Sequence, residues 1–203
     1  MALSYNADDQ VTSGFLCGEF SSLDLQAFLG CLKSASSHIV LPMLAAIILV
    51  EFRSEVTNKQ THVCKVMLGH IEHKTGIHRD NILRPVDSSH ETQPNSIISV
   101  DMNQVTRDLT SVSSKLAQCD YTCQLHIMML DFIDQVNEWT ATATISSTLR
   151  DSRGHSAAFL LNRSASIRSW LKVVSVRTKY LSQRAQSQVQ TVRKSIAIPP
   201  RPR

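Results

Sequence analysis

The chain has 203 residues, 42% of them hydrophobic and 5% aromatic, with 6 Gly, 6 Pro and a net charge of +4. That is enough chain and apolar content for a real core, and the scarcity of Gly, Pro and aromatic residues argues against a sandwich or barrel with its many turns. The one strongly apolar run, residues 39–50, contains Pro42 and falls short of the roughly 20 residues that a bilayer span needs, so no transmembrane span is expected.

A mostly helical reading follows, and the chain divides on that basis. Residues 1–37 form an N-terminal segment in which Leu23, Leu25, Phe28, Leu29 and Leu32 fit one short amphipathic helix behind a Ser21 or Ser22 cap. Residues 38–76 form a second helical region. Pro42 suits its first turn, and Leu44, Ile48, Phe52, Val63, Met67 and Ile71 offer a discontinuous apolar stripe. This is one long helix or two broken near Thr57 and Asn58, ended by Gly76 as a C-terminal cap. Residues 77–100 are polar, with two prolines, and read as a mobile connector.

Residues 101–196 are expected to form a long antiparallel helical hairpin, with the earlier helices packed on it. Its first helix opens with Asp101 and Gln104 at capping-box spacing. Leu109, Val112, Leu116, Cys119, Cys123, His126, Leu130 and Ile133 then alternate threes and fours, the strongest periodicity in the chain. Residues 146–155, with Gly154, read as the turn. The second helix, Arg163 to Ile196, would be roughly 50 Å long, with a seam at Ile167, Leu171, Val174, Thr178, Leu181, Ala185, Gln188 and Val192. Residues 197–203 are a basic, proline-rich tail.

Charge is unevenly distributed. Residues 1–151 carry 10 Lys+Arg and 17 Asp+Glu, a net of −7, whereas residues 152–203 carry 11 Lys+Arg and no acid, a net of +11. A basic helix of this kind either lies on the acidic body or meets an anionic membrane surface, or nucleic acid, through Arg168, Lys172, Arg177, Lys179, Arg184, Arg193 and Lys194. With only Trp170 and Tyr180 available for base stacking there, specific nucleic-acid binding is not expected. The five cysteines, Cys17, Cys31, Cys64, Cys119 and Cys123, are odd in number and scattered, as buried free thiols in a reducing compartment would be. The acidic N-terminus lacks the order of a signal peptide, so a cytoplasmic location, peripheral to a membrane if the basic helix binds one, is expected.

Few chemical constellations stand out. His70, His73 and His78 lie close in sequence and His70 and His73 share a helix face, but the set is incomplete beside known zinc motifs and a solvated face explains it, so no metal or other cofactor is assigned. His126 on the apolar seam reads as a polar group that fixes register or finds a carbonyl partner. There is no phosphate-binding glycine loop and no nucleophile elbow, and a non-enzymatic role is expected.

The segments RDLTSVSSKLAQCDYTCQLHIMMLDFID (107–134) and IRSWLKVVSVRTKYLSQRAQSQVQTV (167–192), with IEHKTG (71–76), resemble the soluble region of fungal CorA-like proteins, distant relatives of CorA-type magnesium transporters. The resemblance covers roughly residues 40–192, with Arg177 to Val192 its most specific part. It implies a helical cytosolic region whose long helix leads, in the family, into two membrane spans. After Val192 the chain instead reads RKSIAIPPRPR, with neither spans nor the glycine-methionine-asparagine pore signature, so the resemblance implies a pore-less domain, either a truncated member or a soluble paralogue. Such a domain is expected to act by helix-mediated association, with itself or with a full-length relative, through a Val174 to Val192 seam left partly open.

Overall fold

The computed structural model describes residues 2–6, 11–15, 21–38, 41–76, 101–142 and 147–197. The fold class is all-α: helices α1 (Ser22–Ser34), α2 (Leu44–Thr75), α3 (Met102–Thr142) and α4 (Ser147–Ala197), preceded by a small antiparallel sheet of β1 (Ala2–Asn6) and β2 (Val11–Phe15). In that sheet Ala2 pairs with Phe15 and Asn6 with Val11. Nothing in the sequence pattern pointed to it.

Local chemistry accounts for the helix ends. Ser21 caps α1 in a full capping box with Asp24. Pro42 stands just ahead of Leu44, where α2 begins. One continuous helix of 32 residues follows, with no break at Thr57 or Asn58. It stops at Gly76, whose φ of +66° a side chain would strain. Asp101 accepts from the Asn103 N–H at 2.9 Å, but the expected box is not closed, because the Gln104 amide turns forward to Asp108.

The α3 seam is buried as the spacing requires, from Leu109 through Cys123 and His126 to Ile133. So is the α4 seam, Ile167 to Val192. On α2 the expected stripe holds at its ends, where Leu44, Ile48 and Ile71 are buried, and fails between them. Val63 is 55% exposed and Phe52 and Met67 only half-buried, while Ile47, Val50, Ser54, Thr57, Thr61, Cys64, Leu68 and Ile71 form the buried line, alternating threes and fours without a break. Leu23, Leu25 and Leu29 are exposed as well, and Phe28 is the one buried residue of α1.

Two further expectations are corrected. Helix α4 runs through Gly154 from Ser147, so the expected turn at 146–155 is helical from Ser147 on. Buried Ser156, Leu160 and Ser164 carry the seam spacing upstream of Ile167, and packing along that line outweighs the cost of about 1 kcal/mol for a helical glycine. Nor is the Val174 to Val192 seam open, since each of its positions is buried within the chain. The connector, residues 77–100, and the tail from 198 onward lie outside the described residues.

The chain forms two compact units built from discontinuous stretches, and α2, α3 and α4 each supply residues to both. Unit 1 comprises residues 1–58 and 122–174, and its core gathers Ile47, Val50, Cys123, Leu130, Leu160 and Leu171. There Asp134 meets Ser164 and Asp131 meets Arg168, the pattern of antiparallel neighbours. Unit 2 comprises residues 59–121 and 175–203, with Leu68, Leu109, Val112, Leu116, Leu181 and Ala185 at its centre.

Candidate interaction surfaces

Polar side chains inside each unit are largely committed to one another. In unit 1, Ser54 donates to the Val50 carbonyl at 2.7 Å and its Oγ lies 3.1 Å from His126 Nδ1. Because the single hydroxyl proton is used on Val50, His126 presents Nδ1–H to Ser54. Burial, and then the nearby Arg53 cation, lower the His126 pKa and keep the ring neutral. In unit 2, Thr61 faces Thr178 at 3.4 Å, and buried Glu72 holds both Arg184 and the Gln188 amide. Polar layers of this kind inside heptad seams select one register of the helices.

His70 and His73 are exposed on α2, while Glu72 between them turns inward to Arg184; His78 lies outside the described residues. Among the described residues no group of three His, Cys, Asp or Glu side chains is placed to hold a metal ion. Cys64 and Cys119 are buried, and burial raises both thiols above their ordinary pKa. Cys31, in contrast, is exposed.

Of the basic residues singled out on α4, Arg168 bonds Asp131 and Asp134 at 2.8 and 2.7 Å. Arg184 is held by Glu72, and Lys179 stands 4.0 Å from Asp120. Lys172, Arg177, Arg193 and Lys194 are exposed and make no ion pair among the described residues. Counted by unit, the charge is −3 in unit 1 and +7 in unit 2, because the second half of α2 adds Lys59, Lys65 and Lys74 to the α4 cations.

The other pronounced surface is apolar and belongs to unit 1. On α3, opposite the buried seam, Leu125, Met128, Met129, Phe132 and Trp139 fall on one outward face, Met128 at 66% exposure, Phe132 at 61% and Trp139 at 73%. Scattered exposed apolar residues are ordinary; a line of large ones along four helical turns is the usual mark of an interaction face. The signal is visible in LHIMMLDFIDQVNEW, which carries more large apolar residues than one seam takes up.

Unit 1 also contains a cleft of about 360 Å³ between α1 and α4, lined by Gly30, Cys31, Ser34, His38, Phe159 and Arg163 among others. His38 stacks on the Phe159 ring at 4.1 Å and meets Ser156 Oγ at 3.0 Å. The Arg163 guanidinium lies 5.8 Å from the centroid of the same ring and is fixed by Glu51 at 2.5 Å. Ser156 is buried, so its hydroxyl positions the imidazole and is not offered to a substrate.

No helix of the described residues is long and apolar enough to cross a membrane. No protein-family model, curated protein or solved structure matches the chain.

Proposed function

We propose that the chain is a non-enzymatic helical association module, akin to the cytosolic region of fungal CorA-like proteins and working without a pore. One observation carries this reading: the outer face of α3, where Met128, Phe132 and Trp139 stand in solvent along a helix whose opposite face is already packed. Burying such a face on a partner removes large apolar side chains from water, at roughly 25 cal/mol per Å². It also replaces the open α4 seam as the route to association, since that seam is filled by the chain's own helices. The heptad polar layers support the same role, because they hold the presenting helix in one register. Size-exclusion chromatography with light scattering tests it: the wild-type chain associates as concentration rises, and Phe132→Glu, which places a charge on the face without touching the core, shifts it to monomer.

A second reading is favoured by the exposed cations of unit 2 that make no ion pair among the described residues, Arg177, Arg193 and Lys194. It makes the module peripheral to an anionic membrane, each surface cation contributing about 1 kcal/mol. Flotation with phosphatidylserine vesicles at low salt is the test; a chain that stays at the bottom of the gradient there excludes it.

A further inference from the structure

We infer that the occupant of the α3 outer face is a second copy of the chain, which docks the outer face of α4 from its unit 2. The inference rests on the association reading and adds the partner and the sense of the contact.

Charge selects the partner. From residue 117 to residue 142, α3 carries four carboxylates, Asp120, Asp131, Asp134 and Glu138, and no Lys or Arg. In unit 1 Arg168 answers both Asp131 and Asp134, and in unit 2 Lys179 stands 4.0 Å from Asp120, while Glu138 is exposed with no ion pair among the described residues, so this stretch keeps a net negative charge. Two α3 faces brought together would therefore set acid against acid, a juxtaposition that opposes pairing. The same chain carries the complement. On α4 in unit 2, Val176 (68% exposed) and Tyr180 form a short apolar face, with Arg177 beside them and Lys194 further along, neither in an ion pair among the described residues. Apolar residues on both sides supply the contact, and opposite charge sets which face meets which.

The contact joins two different faces of the chain, so each copy carries one of each kind. Engaged reciprocally it closes as a two-fold pair; engaged once, it leaves one face of each kind free and growth continues.

The test uses the full chain and light scattering over a concentration series. One variant carries Arg177→Glu and Lys194→Glu; the other carries Gln135→Lys and Glu138→Lys, all at exposed positions. The wild type is expected to gain mass with concentration and to lose it as salt is raised. Each variant alone is expected to associate more weakly by on the order of tenfold or more in Kd. Their equimolar mixture is expected to regain association, since the native α3 and α4 faces still match and the reversed α4 face of the first variant matches the reversed α3 face of the second; this recovery also shows that both variants are folded. A control, Lys59→Glu with Lys65→Glu on α2, changes the charge of unit 2 equally and should leave association unchanged.

Wild-type association retained in full by the Arg177→Glu/Lys194→Glu variant would overturn this inference, pointing to paired α3 faces, and would leave the association reading standing. Equal loss in the α2 control would overturn it too, because overall charge would then be the cause. A wild type that stays monomeric at every concentration removes both readings, and an associating wild type unmoved by Phe132→Glu removes the α3 face itself.

Discussion

At the scale of single residues, His126 couples the fold to pH. It lies on the buried seam of α3 beside Ser54, and burial first, with Arg53 second, depresses its pKa below the ordinary value near 6.5. The native chain thus binds fewer protons at this site than the unfolded chain. Stability must fall as pH drops through the ordinary histidine range toward the depressed value, and recover above it. His126→Leu removes that proton uptake while leaving the Ser54 bond to Val50 in place, so its melting temperature should fall less steeply between neutral and mildly acidic pH than that of the wild type. Thermal unfolding followed by circular dichroism across that range measures the difference. The seam position of His126 was legible from spacing alone. Its partner was not, because Ser54 lies 72 residues away on a helix whose buried line sequence reasoning misplaced through the middle.

That misplacement belongs to the scale of elements. The seams of α3 and α4 are rich enough in Leu, Val and Ile to announce themselves, whereas the middle of the α2 line is Ser54, Thr57 and Thr61. Small hydroxylated residues look like surface in a sequence, and they pack inside here because each returns its hydroxyl to the backbone one turn earlier or to a neighbouring helix, as Ser54 does to Val50, Thr57 to Arg53 and Thr61 to Thr178. The glycines of the chain also differ in meaning by context. Gly154 did not end a helix, while Gly76 does. Two substitutions on and just beyond α2 make the contrast measurable. Gly69 is exposed within the helix, with open space where a methyl group would sit, so Gly69→Ala should stabilise the chain by about 1 kcal/mol. Gly76 has positive φ, so Gly76→Ala should destabilise it by roughly 1–2 kcal/mol. Urea unfolding of the two variants beside the wild type gives both signs in one experiment.

On the scale of the whole molecule, the all-α class followed from composition and periodicity, but the division of charge did not. Read along the chain, the positive excess begins at residue 152; read by compact unit, it is shared between α2 and α4 of unit 2, while unit 1 is acidic and holds the exposed apolar face. Sequence order could not supply this, because each unit joins stretches far apart in the chain. Nor could it tell that Arg168 and Arg184 are committed to Asp131, Asp134 and Glu72, since those pairs join different helices. The proposed role therefore moves from the α4 seam to the α3 outer face, where a side chain can be changed without disturbing either core. Sedimentation equilibrium of the wild type and Phe132→Glu at matched concentrations is the most direct measurement. The account predicts a wild-type mass that rises with concentration and a variant that remains at the 22.6 kDa monomer. A wild type that also sediments as 22.6 kDa throughout, or a variant that associates as strongly as the wild type, would contradict it.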